Sequence, residues 1–510
     1  GYDTYFHQRA NIAIPSKGNR RYISLDSTLP DDQKVGLHPD MIGVKELYDN
    51  GKIKLVQSVS YPLSNGSHFR GRDIMFMGGG ANEYYDSGWV GRYLTADVSP
   101  NIYPRDFPLK GVNEDPLALE FGNEVSLLFH QKGNIPASIS IDNPEGFFNL
   151  VDKTLVGFED NRNEVDKIGI PPEVLSGSNY YDELNWILSL EDKSKDYAKR
   201  LHELYQAGLK YDPKVTYPET YPFGTSRNPL SGQLKIIANL INGGSKTKVY
   251  LIKIGGFDTH ARQVEKYDAT LGLHAALLYH ISSAMKAFQE DLGKRGIEHR
   301  VLTITTSEFG RRIASNGSYG TDHGEAWPMM IFGPGVIPGM LGKSPLVDAN
   351  EVDQNGGNVG LQYDYRQIFS SIMKDWMCVD PNKVDATYAD GGVFPPTSDN
   401  YSGQNPPLAV VNKFFTETES FIIKRFKMNN CYPNPASNYT TISFYVNNDS
   451  TVNITILDQT GRTVKEVLNS NPGTGEHKLN VDLRNLAPGM YFYHIKAGIL
   501  EDTKKLTIIR

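Results

Sequence analysis

The sequence predicts an α/β body, built on a mainly parallel sheet flanked by helices, followed by a small all-β sandwich. Short apolar runs that end in Gly or Pro alternate with helical periodicity through residues 1–400. Beyond about Met428 only period-two alternation remains. Between the two, Asp390–Pro407 is rich in Gly, Pro, Ser and Asn, the composition of a linker or a long surface loop.

Taken in order, the first strand is expected over Ile53–Tyr61, which stops at Pro62. Val249–Ile254 is a second, ending in Gly255-Gly256, and Val301–Thr306 a third. Met329–Phe332 is a fourth, ending in Gly333-Pro334. Their apolar character on both faces suits buried strands of a parallel sheet. Helical spacing recurs at Leu277, Ile281, Ala284, Met285, Phe288 and Leu292, and again at Leu201, Leu204, Tyr205 and Leu209. The stretch around 104–229 reads as a helical insertion or cap. The body is thus expected over 1–400, a linker over 401–427 and the sandwich over 428–510. Within the last, Thr440–Val446 and Val452–Ile456 alternate, bounded by turn residues such as Asp458-Gln459-Thr460-Gly461.

Composition excludes several functions. The chain has 510 residues, 39% hydrophobic and 22% charged, which suits a folded protein with a sizeable core. Its 52 Lys and Arg against 59 Asp and Glu give a net charge of -7, so there is no electrostatic case for nucleic acid or an anionic membrane as partner. No apolar run approaches the ~20 residues that span a bilayer. Gly1-Tyr2-Asp3-Thr4 has neither the charged nor the apolar region of an export leader, so any leader is expected to have been removed or never included. Cys378 and Cys431 allow at most one disulfide.

The C-terminal residues form an ordered series. Tyr432-Pro433-Asn434-Pro435-Ala436 is followed by the alternating strands and by Asp458–Arg462. Leu486-Ala487-Pro488-Gly489-Met490-Tyr491-Phe492-Tyr493 comes next, and Lys504–Arg510 closes the series. This resembles the type A sorting domain of type IX secretion in the Bacteroidota. The resemblance implies export across the outer membrane, with the translocon and its shuttle proteins as partners of residues 428–510, and a secreted or cell-surface location. The ordinary alternative is a carbohydrate-binding or fibronectin-like sandwich.

Four clusters in the body have the residue types for chemistry: Gly66-Ser67-His68-Phe69-Arg70, Gly255-Gly256-Phe257-Asp258-Thr259-His260, Thr306–Arg312 and Gly320-Thr321-Asp322-His323-Gly324. Two of them directly follow predicted strands, where open α/β sheets bind ligands. They offer hard oxygen donors, imidazoles, a hydroxyl and guanidinium groups, the equipment of metal-assisted ester hydrolysis. With Gly36–Pro39, Tyr61-Pro62, Gly88–Arg92 and Gln362–Arg366, these clusters resemble a family of unknown function (DUF 1501) related to sulfatases and alkaline phosphatases.

That resemblance implies an alkaline-phosphatase-like fold and a hydrolase of anionic esters or sulfated glycans. Ser67 then stands at the nucleophile's position, at the head of a helix. Asp258, His260, Glu308 and His323 stand at the positions of ligands to one or two divalent ions (Zn, Mn or Ca), and Arg70 or Arg311 would bind the anion. Two departures are visible. Glu308-Phe309 replaces the usual Asp-His, so one imidazole is missing. The related proteins begin with a strand whose Gly-Gly-Asn-Asp type turn supplies a further carboxylate; this sequence starts just after that point, leaving the carboxylate either in preceding residues or absent from the site.

Each candidate also has an ordinary reading. Ser67 can simply cap a helix, His68 can stack in the core or orient Ser67, and Asp258 and His260 can be turn residues. Arg311 and Arg312 can pair with surface acids, and His38 is expected to be structural. Glu308 is harder to dismiss, because an unpaired buried carboxylate is costly. The rival to the hydrolase is an inactive surface protein that uses the same fold for adhesion or gliding.

Overall fold

The computed structural model describes residues 1–99, 101–152, 179–345, 357–379, 408–412, 426–428, 431–446, 451–473, 475–497 and 500–509, with isolated positions besides. It divides into two compact units, Gly1–Val410 and Val411–Arg510.

The first unit contains helices α1 (Tyr2–Gln8), α2 (Ile42–Asp49), α3 (His68–Met77), α4 (Trp89–Val98), α5 (Pro144–Asp152), α6 (Asn179–Leu209), α7 (Pro229–Asn242), α8 (Leu273–Lys294) and α9 (Tyr365–Asp375). Its strands are β1 (Ile23–Ser24), β2 (Gly36–Leu37), β3 (Ile53–Ser60), β4 (Ala118–Phe121), β5 (His130–Gln131), β6 (Ile135–Pro136), β7 (Ile139–Ile141), β8 (Val249–Leu251), β9 (Thr303–Ile304), β10 (Trp327–Phe332), β11 (Gly339–Leu341) and β12 (Tyr363–Asp364).

Strand β3 is buried along its whole length, as its nearly continuous apolar run requires. On one edge β11 and β12 run parallel to it. On the other, β10 runs antiparallel, with Trp327 opposite Val59 and Phe332 opposite Ile53, and β9 pairs antiparallel with β10. This sheet is therefore mixed, against the expectation of a mainly parallel one. Local hydrophobicity encodes burial but not direction, and the connection from Phe309 to Ala326 is a loop, not the helix that a parallel crossover demands. A second sheet, β7-β4-β8, is wholly parallel.

Two strands of that second sheet, β4 and β7, come from the stretch expected to be a helical insertion. Glu120 hides β4 from sequence reading. It is fully buried, yet Ser126 donates to it from backbone and hydroxyl, and Lys253 pairs with it at 2.6 Å. The expected strand Val301–Thr306 is reduced to Thr303–Ile304. Helix α8 bears out its periodicity, packing Ala284, Met285, Phe288 and Leu292 into one core. That core also holds Val44 and Leu47 of α2, Leu201 and Leu204 of α6, and inward residues of both sheets. Most of the expected linker 401–427 lies outside the described residues. Leu408 donates to Ser371 Oγ at 2.6 Å, and Ile337 donates to the Val410 carbonyl at 3.0 Å, so the Leu408–Val410 segment is tied to the body.

The second unit is a sandwich of β13 (Phe426–Met428), β14 (Tyr439–Val446) and β17 (Gly475–Asp482) against β16 (Thr463–Ser470), β15 (Val452–Leu457), β18 (Gly489–Ala497) and β19 (Leu500–Ile508). Every pairing between these named strands is antiparallel. The alternation predicted for Thr440–Val446 and Val452–Ile456 buries Ile442, Phe444, Val446, Val452, Ile454 and Ile456. The two outer motifs of the sequence meet here. Ala436 donates to the Thr507 carbonyl at 2.8 Å and accepts from Ile509 at 2.8 Å, and Asn434 bonds both Lys505 and Thr507. Cys378 and Cys431 are both free thiols.

Two outcomes follow from this packing. Leu506, fully buried in β19, faces the sandwich core, whereas Lys505 is exposed. Leu506→Ala should lower the stability of the second unit by about 2–5 kcal/mol and Lys505→Ala should leave it within experimental error, as read from urea unfolding of the whole chain. His38 is buried, and its Nδ1 accepts the Asp40 backbone N–H at 3.1 Å. Burial pushes its pKa from 6.5 down to about 4. The folded state thus refuses a proton that the unfolded chain accepts, so His38 costs nothing above pH 6.5 and destabilises progressively as pH falls toward 4. The unfolding midpoint should drop over that interval, and His38→Asn should flatten the slope.

Candidate metal centre

Strand direction brings three of the four clusters to one rim, and loop hydrogen bonds bring the fourth, Gly255–His260, to them. Residues 61–68 leave the C-terminal end of β3, and 305–312 leave that of β9. Because β10 runs the other way, the residues that precede Trp327 arrive at the same edge. Backbone bonds then fasten the loops. Arg312 donates to Asp322 at 3.0 Å, and Gly310 and Gly324 donate to Glu325 and Gly310, each at 2.8 Å. Thr321 donates to Thr259 at 3.1 Å, and Arg262 and Gln263 donate to Ser318 and Tyr319. Gly320 permits this approach, since a Cβ there would collide with the backbone of Thr259 and His260.

The side chains converge on Asp258. Its Oδ1 lies 2.9 Å from His323 Nε2, 3.0 Å from His260 Nε2 and 2.9 Å from Arg311 Nη1. The two Nε2 atoms are 2.9 Å apart. Each ring is held from behind: His323 Nδ1 donates to the Gly66 carbonyl at 2.7 Å, and His260 Nδ1 to Asp322 Oδ1 at 3.1 Å. Both Nε2 atoms of the neutral rings are therefore acceptors, and they face a carboxylate oxygen. Acceptors crowded this closely need a positive charge among them, either a proton or a cation. Where a ring proton fills that place, hydrogen bonds from His323 and Arg311 and the charge of His260 outweigh the desolvation of Asp258 and hold its carboxyl down at about 2.

The remaining candidates divide. Arg311 also bonds Thr321 through Nε at 3.2 Å and through its second amino group to the Thr321 carbonyl. Glu308 is held by His68, whose Nδ1 lies 2.6 Å from Oε1, while the Ser307 hydroxyl lies 3.3 Å from Oε2. Phe309 supplies no donor. It is buried, with its ring 4.8 Å from that of His68 and 4.5 Å from that of His323. Ser67 is exposed and caps α3, accepting from Arg70 N at 3.5 Å. The Arg70 guanidinium turns instead to the 81–84 loop, donating to the Ala81 and Glu83 carbonyls at 2.8 and 2.5 Å and stacking on Tyr84.

Sequence reading gave no ligand role to His68 or Asp322, although both stood inside the quoted clusters. Their partners, Glu308 and His260, are 240 and 62 positions away. The site is an open rim. Asp258 is 44% exposed, and no residue of the cluster lines the cleft of about 560 Å³ bounded by Arg20, Asp40, Phe223 and Tyr279.

The chain thus joins an α/β body with a cluster of imidazoles and carboxylates at its sheet edge to a C-terminal all-β unit. Residues 430–509 match the secretion system C-terminal sorting domain, and the chain is accordingly a substrate that type IX secretion exports to the cell surface or beyond. Residues 235–378 match the family described as protein of unknown function (DUF1501), a span that includes Asp258, His260, Glu308, Arg311 and His323. No curated protein matches the chain. No helix among the described residues is long and apolar enough to cross a membrane.

Gly320→Ala should part the 259–263 and 316–321 loops. Destabilisation of about 1–3 kcal/mol is expected, as measured by thermal unfolding.

Proposed function

We propose that the body is a divalent-metal-dependent hydrolase of phosphate or sulfate esters, of the sulfatase and alkaline-phosphatase type, acting outside the cell. The observation that carries this reading is the convergence of the His260 and His323 Nε2 atoms and Asp258 Oδ1 at separations of 2.9–3.0 Å. Ligand atoms about 2.0–2.1 Å from a shared ion lie roughly 3.3 Å apart in a tetrahedron, close to what is found here. Asp258, His260 and His323 would hold the ion. It would supply the Lewis acidity that polarises an ester oxygen.

The chain's own groups supply the rest. Ser67 places an exposed hydroxyl at the head of α3, a ten-residue helix whose free N–H groups and dipole favour an anion. It is the group proposed to attack the ester. Arg311 fixes Asp258 rather than reaching outward, and Gly66 and Asp322 set the tautomers of His323 and His260. Arg70 is proposed to act by holding the 81–84 loop, not by binding the substrate.

Three measurements test the reading. Purified full-length protein should hold a divalent ion and cleave aryl phosphate or aryl sulfate, and chelation should abolish turnover. Ser67→Ala should lower kcat at least about 100-fold, in the range expected for a group that acts directly at the reacting bond. Turnover that survives Ser67→Ala unchanged would refute the role of Ser67, and absence of both metal and turnover would leave the body an inactive surface protein. Deleting Tyr432–Arg510 should retain the protein inside the cell, as read by fractionation.

A further inference from the structure

We infer that His68 is itself a metal ligand and that Glu308, expected from the sequence to be one, stands behind it as its orienting carboxylate. The centre is then a single site of three imidazoles and one carboxylate, a donor set that selects zinc. This rests on the metal-dependent reading above and specifies its ligands.

The bond of 2.6 Å between His68 Nδ1 and Glu308 Oε1 commits the Nδ1 proton to a carboxylate. It leaves Nε2 with a lone pair. That nitrogen is shielded from water and makes no hydrogen bond, and it lies 3.3 Å from Asp258 Oδ2. An imidazole nitrogen buried without a partner is costly unless something fills its lone pair. With the ring neutral, Oδ2 cannot fill that lone pair, because it too is an acceptor; a second ring proton or a cation is needed. His68, Asp258 and His323 each present one donor atom within 4.8 Å of the others; that group does not extend to His260, which reaches Asp258 and His323 and has to close on His68 for all four to share one ion.

The arrangement repeats around the cluster. Glu308 stands behind His68, Asp322 behind His260 and the Gly66 carbonyl behind His323, and each leaves Nε2 turned toward Asp258. Metal-bound histidines are oriented by such partners on the far nitrogen. Glu308 is therefore placed to act through His68. Its other oxygen accepts from Ser307, so neither oxygen is idle.

The donor types decide the ion. Calcium and magnesium take oxygen ligands and keep several waters, whereas three imidazole nitrogens with one carboxylate suit zinc. Phe309 lies against two of the rings and closes that side to water.

The test uses the full chain, stripped of metal and titrated with zinc by calorimetry, with X-ray absorption on the zinc-loaded protein. One zinc per chain with three imidazole ligands is expected. Glu308→Gln should weaken zinc binding by roughly 10–100-fold, the usual effect of losing an orienting partner. His68→Ala should weaken it further. The double variant His68→Ala/Glu308→Gln should bind no more weakly than His68→Ala alone, because Glu308 acts only through that ring. Unchanged melting of the metal-free variants would show that they fold; if His68→Ala does not fold, the count of imidazoles in the wild type decides.

Two imidazoles in the absorption spectrum, or additive losses in the double variant, would overturn the assignment. So would unchanged affinity in His68→Ala while Asp258→Asn and His323→Ala lose zinc, a result that leaves the metal-dependent reading standing. A wild type that binds no zinc would overturn the zinc centre outright.

Discussion

The antiparallel pairing of β3 with β10 is the constraint on which the body depends. Strand β3 is buried from Ile53 to Ser60, so every backbone group on it must find a partner in the sheet. Its partner's direction decides what meets at the rim. Had β10 run parallel, the segment around His323 would enter at the opposite end, and the residues after Ser60 would face no imidazole from it. The reversed strand places Gly66 and His323 within a hydrogen bond although 257 positions separate them.

Electrostatics then organises the rim. Among the described residues, Asp258 is the one carboxylate addressed by three histidines and an arginine. Most of that cluster is half exposed, so its value lies less in stability than in arrangement, since solvent screening weakens exposed ion pairs. Precision comes from behind the rings, where Glu308, Asp322 and a backbone carbonyl hold each one in a single orientation. The loops that present them are stitched by backbone bonds at positions 259–263, 310–312 and 316–325, which lowers the entropy that any ligand would have to overcome.

The sequence was most legible where periodicity and burial coincide. The run Ile53–Ser60, the helical spacing from Leu277 to Leu292 and the alternation of Thr440–Val446 and Val452–Ile456 each declare their element and their buried face. Strand direction was not legible, because the apolar run of Met329–Phe332 looks the same read either way. Ala118–Phe121 was missed because Glu120 breaks the apolar pattern, and only Lys253 and Ser126, distant in sequence or outside the strand, make its burial tolerable. The four clusters were visible as residue types, and the fold brings them together. What no local pattern carries is the division of labour among them. Residue type alone does not show that Glu308 is bonded to His68, or that the Arg70 guanidinium is bonded to the Ala81 and Glu83 carbonyls.

The ties between Asn434–Ala436 and the last strand have a mechanical meaning. Ala436 and Ile508 form a parallel bridge, so the two segments run side by side in the same direction. A pull between the chain entering at Cys431 and the chain leaving at Ile509 drags them past each other lengthwise. The bonds from Asn434 and Ala436 to Lys505, Thr507 and Ile509 are then strained simultaneously instead of opening one by one like a zip. The unit is built as a shear clamp, stiffest against a pull between its first and last segments.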